Sequence, residues 1–175
     1  MTENDIPTKL LWVDLEMTGL DPQTQHIIEV AALVTDFELN EVARYEAVIH
    51  QPEPILDAAE DWPKENMQQL FDEVRQSDKN EGTVVDELEA FIQEHWNEER
   101  AVLAGNSIHQ DRRFIRKWWP RIDALLHYRM FDVSSYKIWV QGTTGEQYVK
   151  GEKHRAMGDI EESIEELKWS LDQLK

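Results

Sequence analysis

The sequence predicts an α/β fold, a mixed sheet flanked by helices, from two observations. Strand-length apolar runs crowd the first third of the chain, at residues 10–15, 27–34 and 43–49; further on, apolar residues recur at helical spacing and alternate with short apolar runs. Residues 10–15 read as a first buried strand. Residues 27–34, almost continuously apolar, read as a second, joined to the first by a turn around Gly19 and Asp21-Pro22. A third strand covers 43–49, and Pro52 and Pro54 close this part.

From 56 to 76 an acidic pattern interrupted by Pro63 suggests helical pieces, followed by a polar loop over 77–82. The next helix is clearer: Val84, Val85, Leu88, Phe91, Ile92 and Trp96 share one side, and Asp86, Glu87, Glu89 and Glu94 the other. Residues 101–105 form a short apolar strand, and a helix carrying Asp111, Phe114, Ile115, Trp118 and Trp119 runs to Pro120. Trp118 and Trp119 read as core or interface rather than nucleotide stackers. Residues 129–133 make another strand leading into a short helix through Trp139, and 142–153, with three glycines and no apolar period, a mobile loop. Ile160, Ile164, Leu167, Leu171 and Leu174 define an amphipathic terminal helix, its acidic stripe a solvated face. With 175 residues, 41% hydrophobic content and seven Trp, the chain has the makings of one domain spanning 1–175.

Composition narrows the function. Lys and Arg number 18 against 36 acids, and the net charge of −18 repels a long polyanion, so a long duplex or polymeric RNA is disfavoured while a short oligonucleotide held by local contacts is not. Without cysteine there is no disulfide, thiolate-bound zinc or cysteine nucleophile, and any metal must sit on oxygen or imidazole. No secretory signal pattern opens the chain and no run of about 18 apolar residues occurs, from which no membrane association and a cytoplasmic location are expected.

Three segments concentrate chemistry. In Trp12-Val13-Asp14-Leu15-Glu16-Met17-Thr18-Gly19-Leu20, Asp14 and Glu16 stand two apart in a strand and point to one side. At roughly 7 Å and an effective dielectric near 20 they repel by about 2 kcal/mol. A divalent cation, Mg²⁺ or Mn²⁺, is the simplest reason to keep them together. Alone the pattern is weak, because similar pairs recur at Glu87/Glu89 and Asp159/Glu161. Further lone acids sit in Gly105-Asn106-Ser107-Ile108-His109-Gln110-Asp111-Arg112-Arg113-Phe114 and in His154-Arg155-Ala156-Met157-Gly158-Asp159-Ile160. Asp14, Glu16, Asp111, Asp159 and a histidine make up the inventory of a two-metal phosphodiesterase site.

Read in order, these motifs resemble those of the DEDDh 3′–5′ exonucleases, and the likeness extends through 127–134 and 161–167 to nearly the whole chain. The resemblance implies a ribonuclease H-like fold, two divalent ions, and 3′ to 5′ hydrolysis of very short RNA, especially dinucleotides. Asp14, Glu16, Asp111 and Asp159 carry over as metal ligands and His154 as general base. Leu20 would wedge between two bases, Trp62 would line the base site, and Ser107, Arg129 and Ser134 would hold a 5′ phosphate, with Tyr128 reaching in from the partner in a homodimer. Two features depart from the family pattern. Met67 stands where a histidine is usual five residues after the tryptophan, and the segment 140–153 is altered and short.

Each residue also has an ordinary reading. Asp111 serves equally as a cap or a partner of Arg112 or Arg113, Asp159 as a first-turn acid stabilised by the helix dipole, and His154 as a solvated surface residue. Ser107 and Arg129 read also as a turn residue and a surface charge. Rival functions are a related exonuclease that trims structured RNA or proofreads DNA, and a catalytically idle nucleotide-binding or interaction module. The first would want basic clusters beyond Arg112-Arg113 and Arg116-Lys117; the second has no need of mutually repelling carboxylates.

Overall fold

The computed structural model describes residues 7–149, 151 and 155–174. Strands β1 (Leu10–Met17), β2 (Ile27–Thr35) and β3 (Glu41–Val48) form an antiparallel meander. Helices α1 (Glu53–Asp57), α2 (Asp61–Asn66), α3 (Gln68–Gln76) and α4 (Glu81–Trp96) follow, and then β4 (Ala101–Gly105), α5 (His109–Trp118), α6 (Pro120–Leu125), β5 (Leu126–Asp132), α7 (Val133–Thr144) and α8 (Ala156–Gln173). The five-stranded sheet has the order β3-β2-β1-β4-β5, with β4 parallel to β1 and β5 parallel to β4. The sheet is therefore mixed, and β1 lies at its centre.

Alternation along β1 divides the core. Leu11, Val13 and Leu15 pack with Val84, Leu88, Phe114 and Trp119 from α4, α5 and the α5–α6 junction. On the opposite face, Leu10 and Trp12 pack with Ala31, Leu33, Ile160, Ile164 and Leu167 under α8. Continuing the same period, Asp14 and Glu16 fall on the α8 side, where β1 runs out of apolar residues. A third cluster, with Leu56, Met67, Leu70, Phe71 and Val74, joins α1 and α3 to Ile28 and walls one end of the sheet.

The third strand starts two residues earlier than the sequence pattern suggests, and β5 begins at Leu126 rather than 129. Helix α6, absent from the sequence reading, arises because Pro120 ends α5 yet suits the first turn of a new helix, where no N–H is required. The loop expected over 142–153 begins later: α7 continues to Thr144 and stops where Gly145 takes φ 77, a left-handed conformation that a Cβ would penalise. Trp119 is a core residue, and the half-buried Trp118 packs against the same core. Glu166, by contrast, breaks the solvated stripe expected on α8 and is fully buried, its carboxylate accepting from Asn106 Nδ2 at 2.9 Å. No helix among the described residues is long and apolar enough to cross a membrane.

Trp12 holds α8 against the sheet and donates its Nε1–H to Thr35 Oγ1 at 2.9 Å. Trp12→Ala is expected to destabilise the protein by about 3 to 5 kcal/mol, measured as a shift in the urea unfolding midpoint.

Candidate active site

Three elements converge where β1 ends. Asp14 and Glu16 come from β1 and Asp159 from the first turn of α8, and one carboxylate oxygen of each lies within 4.8 Å of those of the other two. Asp111 approaches from the far side of the strand. Its position in the first turn of α5 lets Oδ1 accept the Leu15 N–H at 3.0 Å, which ties the carboxylate to β1 at the residue between Asp14 and Glu16 but leaves it outside the group that those two form with Asp159. Gly105 at the end of β4 permits this close packing, since a Cβ there would sit 3.1 Å from the Val13 carbonyl oxygen and 2.9 Å from Ile108 Cδ1. The ordinary reading of Asp111 as a partner of its neighbours does not hold: Arg112 Nε bonds Asp123 at 3.1 Å, and Arg113 bonds Gln110.

Glu29 of β2 stands opposite Glu16 in the antiparallel register and is buried. Arg155, immediately before α8, donates from Nε and Nη2 to Glu29 Oε1 at 3.0 and 2.8 Å. The Ala156 N–H donates to Glu29 Oε2 at 3.1 Å. His154 lies outside the described residues.

Burial is the main reason that the Glu16 carboxyl is pushed up to about 8, with the charges of Asp159, Glu29 and Asp111 adding and Arg155 opposing. Burial likewise pushes Asp111 up to about 7, against the lowering effect of the Leu15 N–H. Asp14, Glu16 and Asp159 converge as oxygen donors, and Glu16 and the neighbouring Asp111 are desolvated enough to resist ionisation, a chemistry that suits a hard divalent cation.

Beside Glu16 opens a largely apolar cleft of about 410 Å³, lined by Leu15, Met17, Leu20, Trp62, Pro63 and Met67 together with Glu60. Leu20 and Trp62 are 68% and 52% exposed, an unusual state for large apolar side chains unless something covers them. The Leu20 N–H donates to Glu60 Oε1 at 3.2 Å, anchoring the turn that carries Leu20.

Ser107 and Ser134 also come together, their hydroxyls 3.2 Å apart. Ser107 takes φ 48, a strained value for a residue with a Cβ, costing on the order of 1 to 3 kcal/mol. Its N–H is held by Asp132 Oδ1 at 3.0 Å and Ser134 Oγ at 2.8 Å, which stabilise the turn. Arg129 lies three residues before Asp132 on β5, with its guanidinium carbon 5.2 Å from the centroid of the Tyr128 ring.

The RNase_T exonuclease family model matches residues 11–167. The oligoribonuclease of Chromobacterium violaceum is 43% identical over 166 residues, 91% of this chain and 92% of its own. That of Shewanella loihica is 43% identical over 168 residues, 93% of each. The chain belongs to the oligoribonuclease family of DEDDh exonucleases. Among solved structures, the exonuclease I of Methylocaldum szegediense superposes with a TM-score of 0.70 at 16% identity, covering 92% of this chain and 40% of that longer one. E. coli exonuclease I in complex with a dT13 oligonucleotide gives a TM-score of 0.68 at 15% identity, over 96% of this chain and 41% of that one. These structures establish the ribonuclease H-like fold.

The sequence reading passed over Glu29 and Arg155. The signal for Glu29 was present: it is the lone acid in a strand, Ile27–Thr35, whose every residue is buried.

Carboxyls raised from about 4 to about 7 and about 8 make the metal-free native protein bind more protons than the unfolded chain across that window. Its stability therefore falls as pH rises through the window. A dication displaces those protons, so the rise in Tm on adding Mn²⁺ should be small at about pH 5 and grow towards about pH 8. Calorimetry in EDTA and in Mn²⁺ at several pH values measures this; a gain independent of pH would show that the ion binds elsewhere.

Proposed function

We propose that this chain is a 3′ to 5′ exoribonuclease that hydrolyses short RNA oligonucleotides, dinucleotides above all, to mononucleotides. The observation that carries the reading is the cleft joining Glu16 of the acid cluster to the exposed side chains of Leu20 and Trp62. Its apolar walls suit the faces of bases, and its acidic end suits a phosphodiester bridged by cations.

Asp14, Glu16, Asp111 and Asp159 would hold two ions, Mg²⁺ or Mn²⁺. Bound there, such ions would stabilise the attacking and leaving oxygens of an in-line displacement. His154 would take the proton of the attacking water; an imidazole of ordinary pKa, about 6.5, is largely neutral at cellular pH and able to accept it. Leu20 would separate the two bases and Trp62 stack on one of them. Met67, buried and lining the same cleft, offers a polarisable apolar contact in place of the family's usual histidine.

At the other end, Ser107 and Ser134 would bind the 5′ phosphate with Arg129. The N–H groups of both serines are taken by Asp132 Oδ1 and the Ser134 hydroxyl donates to Asn106 Oδ1, so the Ser107 hydroxyl is the group offered first, and Ser134 would have to turn from Asn106 to join it. Arg129 would turn from the Tyr128 ring to give the bidentate contact that a guanidinium makes with phosphate. Tyr128 would serve the site of the partner subunit in a homodimer. The dimer is supported by the edge position of β5 and the exposure of Tyr128, Met130, Ile138 and Trp139 on β5 and α7. A cytoplasmic location completes the reading.

Timed hydrolysis of 5′-phosphorylated RNA of increasing length, with Mn²⁺ and with EDTA, tests the assignment. A dinucleotide should be cleaved with higher kcat/KM than a strand of about ten nucleotides, since the net charge of −18 repels the longer polyanion. Arg129→Ala should shrink that preference about ten- to a hundredfold, the loss of one charge-assisted phosphate contact. Equal cleavage of all lengths would instead indicate a general trimming exonuclease.

The base and the ligands separate in a second measurement. His154→Ala should lower turnover by about 10² to 10⁴ and leave Mn²⁺-induced stabilisation intact, whereas Asp14→Asn should remove most of that stabilisation. A His154→Ala protein that no longer responds to Mn²⁺ would reassign the histidine as a ligand.

A further inference from the structure

A carboxylate in the middle of a buried strand is costly unless it is paired, and Glu29 is worse placed than most. It lies directly opposite Glu16, on the same face of the sheet, where like charges destabilise a cross-strand pair. An apolar residue would relieve both strains. What Glu29 does instead is bind the start of α8. One carboxylate oxygen accepts two donors of Arg155 and the other accepts the Ala156 N–H, the first N–H of the helix. Arg155, at the capping position, provides no side-chain cap of its own, so the cap comes from a residue 127 positions earlier in the chain. The Arg155 guanidinium also reaches Glu73 of α3, at 3.2 Å from Nη1. Arg155 thereby ties α8 to two other elements.

We propose that Glu29 and Arg155 are positioning residues for the cleavage site, fixing where α8 begins and so where Asp159 stands relative to Asp14 and Glu16. The proposal rests on the reading of those three acids as ion ligands. Asp159 follows Ala156 by three residues, about 4.5 Å along the helix axis, and a start displaced by one residue would turn it by about 100° away from the β1 acids. Neither Glu29 nor Arg155 needs to touch substrate for this. Losing the link would loosen the third corner of the acid cluster.

The test uses Glu29→Gln, Arg155→Lys, Arg155→Ala and the Glu29→Gln/Arg155→Ala double variant. For each, kcat and KM are measured on a 5′-phosphorylated RNA dinucleotide, and Mn²⁺ is titrated against Tm without substrate. Glu29→Gln and Arg155→Ala should each lower kcat about tenfold or more, as loss of a residue that orients ligands does. KM should change little and the Mn²⁺ midpoint should rise. Arg155→Lys should retain part of the activity, because an ammonium keeps the charge but not the fork of donors. The double variant should be no worse than the worse single one, since both break one link. A fall in Tm with kcat and the Mn²⁺ midpoint unmoved would overturn the proposal, as would effects that multiply in the double variant. Should Glu29→Gln not fold, the half-exposed Arg155 carries the test through its two variants. A wild-type protein whose Tm ignores Mn²⁺ would bring down the ligand reading and this proposal with it. A response unchanged in Glu29→Gln and Arg155→Ala would remove this proposal alone.

Discussion

Repulsion among carboxylates at the end of β1 is the term that the surrounding structure must accommodate. At 4.8 Å and an effective dielectric near 20, each pair among Asp14, Glu16 and Asp159 costs about 3 kcal/mol when ionised, and Glu29 and Asp111 add to the charge felt by Glu16. Several features oppose it: the Leu15 N–H on Asp111, the Ala156 N–H and the Arg155 guanidinium on Glu29, and raised proton affinity at Glu16 and Asp111. Below about pH 8 the raised proton affinity keeps the Glu16 carboxyl largely neutral when no metal is bound. The remaining cost falls on the packing of Trp12, Leu33, Ile160 and Ile164, which hold β1, β2 and α8 together whatever their charged ends prefer. A divalent cation at the cluster would remove the conflict at its source, and on that reading metal binding and stability are expected to be coupled.

Periodicity carried much of this architecture because the acids that matter lie on regular elements. The period of two in β1 places Asp14 with Glu16, and the helical starts after Gly105 and Arg155 place Asp111 and Asp159 in first turns, so the cluster follows once the elements are known. Pairings distant in sequence escaped the reading. Arg155 and Glu29 are 126 positions apart, and nothing local distinguishes Arg155 from a surface arginine. Arg112, the sequence neighbour of Asp111, turns to Asp123 and the His127 carbonyl, because consecutive helical residues point about 100° apart. The late end of α7 was obscured by weak helix formers at Gly142, Thr143 and Thr144, whose two threonine hydroxyls find partners at the Trp139 and Val140 carbonyls. His154 was legible only through its motif.

The proposed phosphate pocket and the acid cluster are not independent. Asn106 Nδ2 donates to Ser163 Oγ at 2.8 Å, and the Ser163 hydroxyl donates to the Asp159 carbonyl oxygen at 2.7 Å. From the other side, Ser134 Oγ donates to Asn106 Oδ1 at 3.3 Å, and Ser107 N–H donates to Ser134 Oγ. A single run of hydrogen bonds therefore leads from the serine pair through Asn106 into the first turn of α8. Buried Glu166 secures it at Asn106, with Lys137 Nζ 3.5 Å from its other oxygen. Polar networks of this kind rigidify what they join.

Rigidity at that place bears on how an enzyme of this family could measure length. If the 5′ phosphate sits on Ser107 and Ser134 and the scissile phosphate at the acids, the span between them is set by β4, β5 and α8, elements joined by ladders and core packing rather than by a loop that could stretch. Leu20 and Trp62, by contrast, line the cleft from a turn held by Glu60 and from a short helix. Length selection would then belong to the frame, and the fit of the bases to the cleft wall. On that reading Met67, which lines the cleft, would act only on the second of these, altering how bases are held without changing how long a strand is accepted.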